Sequence, residues 1–530
     1  MESTHPPFVR TRLSIMMFLE FFVWGSWGFA ITGYALNTLK FDGSQVGWLG
    51  AIPAIGAIVS PLFVGMIADK YFPAQRVLGV LHLAGGACLI AAGFQTSFWP
   101  LITLMMINGL FFMPSIALVN SVAFTHIPDA DKFPRIAVFG TLGWIAAVVI
   151  ASVALGGAST PNFLYLAGVG AIVLALYCQT LPNTPPKGAE SGGDAFGLGA
   201  LKLMKDPSFL IFIVCVFLFS IPACGFFFTL AVPMLQQRGY PSPLALTTLN
   251  QLAELVFMFT MPLFVVKLGL KRVLLIGMAA WAIRYLCFAC PEFSMAIVGL
   301  LLHGFCYSFF YVGAYMYVDK KAPEDMKASA QSLLSFLLLG VGWLVGGLLA
   351  GNLMEAYKPE VSAMAAIYVE KAQPVTDAKL PRWDDPDAAT SAWRYLDLSA
   401  TVGNLISPKG EAEEEPAAKD LAQQLDTDED RVITTAEIKA FPHELIDVDG
   451  YLYSQEDLIA VFKQIAALEK AEGDETADDA VSLTQDQWLK AQSCDWGPIW
   501  LYPSIFLFVI LGLFAVAFRD KPTKEEGAEG

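Results

Sequence analysis

Glu254 and Gln251 stand three residues apart in an apolar run, Leu244 to Val266, long enough to cross a bilayer. That spacing puts the carboxylate and the amide on one helical face. An ionised carboxylate at the bilayer centre costs roughly 2.5–3.5 kcal/mol on insertion scales. A chain that keeps one there turns it toward a wet interior, where it can bond a polar solute or load and release a proton. Other side chains in comparable runs could join it. Glu20, Trp24 and Trp27 recur at i, i+4 and i+7, and Gly25 and Ser26 between them allow another helix to approach. Asn108 and Asn120 are amides in one run, and Thr141 and Trp144 share a face of the next. His303, Tyr307 and Tyr311 line up at i, i+4 and i+8. Two further groups read as structural: His82 as a lone imidazole, and Arg284 as a residue near an interface or the partner of an acid. Amides, carboxylates and hydroxyls beside aromatic faces suit a small, polar, ring-bearing solute.

The elements that must position these groups are membrane helices. The chain has 530 residues, 55% of them hydrophobic and only 15% charged, with a mean hydropathy of +0.54. A soluble protein would carry about a quarter charged residues. Apolar runs recur at about 12–36, 45–67, 76–95, 98–123, 135–156, 161–181, 207–235, 244–266, 271–290, 294–318, 328–353 and 497–518. The reading is therefore an all-α membrane protein with twelve transmembrane helices. The first run is too long for a signal peptide and lacks a small-residue cleavage site. Of the eight cysteines, seven fall in or beside membrane runs and read as core packing, not as a disulfide framework. With the N-terminus inside, Lys and Arg crowd the inner segments, and the short outer loops hold only Lys40 and Arg238. Both termini are then cytoplasmic.

A polar, Gly/Pro-rich linker at 182–206 divides the helices into an N-terminal half, 1–181, and a C-terminal half beginning at 207–353 and completed by 497–530. The halves echo each other: Gly65-Met-Ile-Ala-Asp69-Lys70 and then Arg76 follow the second run, and Lys267-Leu-Gly269-Leu-Lys271-Arg272 follows the eighth. A six-plus-six repeat of this kind is the layout of major facilitator transporters.

Between the last two runs lies a soluble insert, 354–496, with 31 Asp/Glu against 12 Lys/Arg. Its charge of −19 exceeds the whole chain's −16, so the remainder is +3. The orientation places it outside the membrane. Within it, Asp426, Asp428, Asp430, Thr434 and Glu437 stand at positions 1, 3, 5, 9 and 12 of a calcium loop (426–437), with the Val432 carbonyl at position 7. Arg431 replaces the usual Gly at position 6. A second loop, 445–456, offers Asp447, Asp449 and Glu456 around Gly450, but Leu445 holds its first position. The pair reads as degenerate EF-hands on short flanking helices, with calcium as the implied metal. The alternative is a solvated acidic spacer, as Glu411–Glu415 is.

Several stretches resemble the nucleoside:proton symporters of the major facilitator superfamily. These are Phe22–Trp27 (FVWGSW), Thr38–Gly43 (TLKFDG), Gly65–Lys70 (GMIADK), Met113–Ser121 (MPSIALVNS), Phe139–Trp144 (FGTLGW), Gln251–Glu254 (QLAE), Leu270–Tyr285, Val318–Pro323 (VDKKAP) and Lys327–Ser332 (KASAQS). They follow one another through nearly all the membrane part and leave the insert uncovered. The resemblance implies the major facilitator fold, alternating access, a centrally bound nucleoside, and protons as the second partner. It implies ligand contacts from Thr141, Trp144, Gln251 and Glu254, with His303 and Tyr307 in the cavity. Trp24 and Asn120 complete the candidate set, and Glu254 and Glu20 are the candidates for proton coupling. The chain departs from the family at Ala137 and Ser308, where Arg and Asp are common, and at Glu20, where Gln is usual. No polar pair appears in Ala223–Phe228. A bacterial inner membrane, a monomer, no cofactor for transport, no nucleic-acid partner and no enzymatic activity complete the expectation. The alternatives are a carrier of another polar solute such as a sugar, or a calcium-responsive sensor.

Overall fold

Among the described residues of the computed structural model, eleven helices are long and apolar enough to cross a membrane, and a shorter apolar helix accompanies them. The structure describes residues 8–59, 71–127, 133–186, 198–358 and 493–519, with short pieces between 432 and 484. In chain order the first six helices are α1 Val9–Thr38, α2 Gly43–Val59, α3 Ala74–Ala92, α4 Phe98–His126, α5 Pro134–Ala154 and α6 Asn162–Thr180. The remaining six are α7 Pro207–Gln237, α8 Pro243–Leu268, α9 Leu270–Ala289, α10 Phe293–Lys321, α11 Lys327–Ala356 and α12 Trp496–Ala517. Their outer faces are apolar: Val153, Val266 and Val516 are each at least 80% exposed. Such surface is stable only against lipid.

Within the first group α1 packs on α5 and α6, and α3 on α4 and α6; within the second, α9 packs on α12 and α7 on α11. Four helices carry π-helical stretches: Tyr34–Thr38 in α1, Ile221–Phe226 in α7, Cys306–Val312 in α10 and Phe336–Gly342 in α11. Each widened turn rotates the residues beyond it relative to a regular α-helix, and such turns concentrate at functional sites.

The two groups meet at the end that the Lys/Arg distribution assigns to the outside. There Asn37 donates to Gln236 at 2.9 Å, the Gly43 N–H donates to Glu355 at 3.0 Å, and Ser44 meets Asn352 at 3.3 Å. α2 and α11 touch through glycines. A Cβ on Gly351 would lie 2.4 Å from the Gly43 carbonyl oxygen and 2.6 Å from the Gly47 Cα. Apolar side chains gain little by leaving lipid for one another, so this close backbone approach holds the contact. Gly351→Leu therefore wedges α2 from α11. A cysteine placed at Gln236 should become accessible to a membrane-impermeant maleimide in that variant, and unchanged labelling would exclude the glycine contact as the closing element.

The motif Gly65–Lys70 lies outside the described residues, as do Asp426, Asp428, Asp430, Glu437, Asp449 and Glu456. Lys358–Asp495 with Gln237–Gly239 forms a separate unit. Most of the insert lies outside the described residues, and the described pieces of it include four short strands. β1 Val432–Thr434 pairs antiparallel with β4 Ser482–Thr484, and β2 Leu445–Val448 with β3 Tyr451–Ser454. The second pair has a physical reason. Alternating residues flank Asp449-Gly450, the strongest short hairpin signal. Its ladder sets Asp447 opposite Leu452. Among the described residues no cluster of three metal-ligating side chains occurs.

Candidate functional site

The site is built from two adjoining clusters. The first is aromatic. Gly25 on α1 lets α5 approach closely, since a Cβ there would stand 2.9 Å from the Trp144 Cα. Trp24 and Trp144 thereby meet edge to face at 5.3 Å between centroids. Phe29 adds a contact to Trp144 at 5.7 Å and stacks on Phe228 at 4.6 Å. Phe228, from α7, also lies parallel to Trp24 at 6.4 Å and meets Trp343 of α11 at 4.6 Å. The box thus draws on both halves of the chain.

Phe227 and Phe228 are consecutive, so they project about 100° apart on the helix and serve different clusters. Phe227 turns to the second, polar cluster. The Arg284 guanidinium sits 3.7 Å from its centroid, and the His303 ring stacks on it at 5.6 Å. Arg284 is fully buried. Its Nη1 lies 2.8 Å from His303 Nδ1, and its Nη2 donates to Asn250 Oδ1 at 3.0 Å. A guanidinium has donors only. Nδ1 must therefore accept, and a neutral His303 carries its proton on Nε2. That nitrogen faces Glu254 Oε2 at 3.8 Å. The gap is longer than a hydrogen bond, which leaves a donor and an acceptor side by side for a third partner.

Several buried groups beside these clusters have no partner among the described residues: the indole Nε1 of Trp24 and Trp144, Gln251 Oε1, Asn250 Nδ2 and Ser308 Oγ. Buried polar groups are nearly always satisfied, so a set of orphans around one aromatic box marks a binding surface. The set supplies donors from two indoles and an acceptor from an amide.

The sequence candidates divide as follows. Trp24, Trp144, Gln251, Glu254 and His303 belong to the two clusters. Tyr307 continues from His303 at 6.2 Å between rings and reaches Tyr311 at 6.0 Å, and it is 38% exposed. Thr141 is half-buried one turn before Trp144. Asn120 is half-buried beyond Ser115 on α4, and no described contact ties it to the clusters. Two readings are corrected. Arg284 pairs with an amide and an imidazole, not with an acid. His82 is not lone: it holds Glu20, which points between α3 and α4 instead of sharing the box with Trp24. Sequence reasoning missed Phe29, Phe227, Phe228, Trp343 and Asn250. The Phe226-Phe227-Phe228 triplet was the available signal, standing where a polar pair was sought.

A cavity of about 630 Å³ opens between the ends of α8, α10 and α11, lined by Val265, Tyr315, Met316, Asp319 and Gln331 among others. It lies at the end opposite the α2–α11 contact. Along α8, Val265 is about 16 Å past Glu254 at 1.5 Å per residue. The cavity therefore lies at that end of the helices and does not itself contain the clusters.

Comparison with known proteins fits this architecture. The putative nucleoside transporter YegT of Escherichia coli K12 is 40% identical over 371 residues, covering 67% of this chain and 87% of that one. The xanthosine permease of the same organism is 32% identical, covering 66% and 88%. A crystal structure of the nucleoside transporter NupG superposes with a TM-score of 0.62 at 26% identity, covering 66% of this chain and 92% of that one. Residues 8–372 match the family model described as nucleoside H+ symporter. With that model spanning most of its length and its helices in the same arrangement, the chain belongs to the nucleoside H+ symporter family.

Proposed function

We propose that this protein imports nucleosides by proton symport through alternating access, with the ligand held between the aromatic box and the Glu254–His303 pair. The observation that carries the reading is the Asn250–Arg284–His303–Glu254 series, set beside orphaned Gln251 and two orphaned indoles. A planar base fits against Trp24, Trp144 and Phe228, whose faces offer dispersion and quadrupolar contacts. Ribose hydroxyls can both donate and accept, so they match Nε2–H of His303 with the carboxylate of Glu254, and Gln251 Oε1 takes a further donor. Thr141 and Tyr307 flank the same space. Glu254 is also the proton carrier in this reading, because it is the acid beside the ligand.

The closed α2–α11 end and the open cavity opposite support an inward-open state. In this reading both termini are cytoplasmic, the 354–496 insert faces outward, and the protein works as a monomer in a bacterial inner membrane with twelve spanning helices. The acid spacing in 426–437 supports calcium binding at that loop on sequence grounds alone.

Purified protein in proteoliposomes, given an inward proton gradient, should accumulate labelled uridine, adenosine or xanthosine at least 10-fold above gradient-free vesicles. Labelled maltose serves as the sugar control. Gradient-dependent uptake of maltose and of none of the nucleosides would overturn the substrate class.

A further inference from the structure

Glu20 lies outside the ligand site, yet it is one of the most tightly held groups in the protein. It is fully buried on α1. Its Oε2 lies 2.8 Å from His82 Nε2 on α3, and its Oε1 lies 2.5 Å from Ser115 Oγ on α4. The same Ser115 Oγ lies 2.6 Å from the Phe112 carbonyl oxygen. A hydroxyl has one proton and can donate to only one of these two oxygens.

Two arrangements satisfy the contacts. With Glu20 ionised, Ser115 donates to its Oε1. With Glu20 protonated, the carboxyl O–H donates to Ser115 Oγ, and Ser115 turns its own proton to the Phe112 carbonyl. His82 donates Nε2–H to Oε2 in both. One added proton thus switches a hydroxyl between two acceptors already within reach, with the heavy atoms in place. The 2.5 Å separation fits a charge-assisted O–H···O contact.

The surroundings limit what else could act here. The Cys178 thiol at the end of α6 is within electrostatic reach of Glu20. α4 contributes the neutral Asn108, whose Nδ2 is buried without a partner among the described residues. α5 turns glycines to α1, with Gly140 against Phe21 and Gly143 against Phe18, and so presents no charge there. Arg12, at the end of α1, is engaged with the Thr180 carbonyl at 2.8 Å. The void between Val23, His82, Gly85, Asn108 and Phe112 has no room for a water molecule. A proton therefore exchanges with solvent only when α1, α3 or α4 shifts. Phe112 joins the two places: its ring contacts His82 at 6.0 Å and Trp24 of the aromatic box at 5.7 Å.

We infer that Glu20, held by His82 and Ser115, is a second proton-carrying residue, opened to solvent by helix movement and adjoining the ligand site through Phe112. This rests on the symport reading above. Each half then holds one carboxylate–imidazole pair, Glu20–His82 and Glu254–His303.

The test is the proton-to-uridine ratio in proteoliposomes, from the opposing uridine gradient that just balances a fixed proton gradient. We expect about two protons per uridine in the wild type and about one in Glu20→Gln, one for each proton-carrying carboxylate. The glutamine amide can still donate to Ser115 and accept from His82. Equal ratios in the two proteins would overturn the inference and leave symport standing, whereas a wild type indifferent to protons would overturn symport itself. Infrared difference spectra between acidic and alkaline pH supply a readout independent of transport. The carboxylic-acid band should vanish in part in Glu20→Gln and shift in Ser115→Ala, which keeps the acid and removes its alternate partner. Spectra identical to wild type in both variants would refute the assignment.

Discussion

Glu254→Gln will lower uphill accumulation of nucleoside at least 10-fold. Glutamine keeps the length and an acceptor oxygen but cannot take up or lose a proton, so the proton that moves beside the ligand is lost, and with it that proton's share of the gradient's free energy. Affinity should fall as well. Glutamine offers one acceptor where a carboxylate offers two, and hydrogen bonds to a charged partner contribute roughly 1.5–3 kcal/mol against about 1 for neutral ones. That difference corresponds to about a 10-fold loss in binding. Accumulation in proteoliposomes and ligand binding to detergent-solubilised protein separate the two effects. Wild-type accumulation in the variant would remove Glu254 from coupling.

Arg284 should give the other large effect. Arg284→Met removes a fully buried cation that bonds both His303 and Asn250 and rests on Phe227. Two buried acceptors are then left unmet, at about 1–3 kcal/mol each. The cation–π contact, about 2 kcal/mol when desolvated, goes with them. Losses of this size approach the whole stability of many domains, so little folded protein is expected by thermal unfolding and size-exclusion profiles. Arg284→Lys keeps the charge but has no planar fork to reach both partners. It should fold and still bind nucleoside at least 10-fold more weakly, because His303 is no longer held with its proton toward Glu254. Undiminished binding in the lysine variant would show that the imidazole needs no such orientation.

The reading from residues alone reached the helices because lipid imposes a simple demand. Every spanning segment must be apolar and helical, and its length is set by the bilayer. Gln251, Glu254, Trp24, Trp144 and His303 stood out on the same principle, since polar and indole groups deep in such segments need a use. Glu20 stood out too, but not its surroundings. Helical spacing put it in line with Trp24, and the packing of α1 between α3, α4 and α5 sends the two side chains to different neighbours. In the insert, acid spacing within one loop carries no record of which strands pair, such as the β2–β3 register.

Residue types and their order thus established a multi-helix membrane carrier and a short list of polar groups with no reason to sit in lipid. Those are properties of single segments, and each follows from burial costs that act locally. Which groups face one another is a property of helix pairs. The close approach at Gly25, the π-helical turns in α7 and α10, and the opposite aims of Phe227 and Phe228 bring Arg284 to His303, and His303 to Glu254. They also bring His82 and Ser115 to Glu20 from helices 62 and 95 residues away in the chain. No spacing along one helix encodes those distances, because they arise from how glycines and aromatics let whole helices pack.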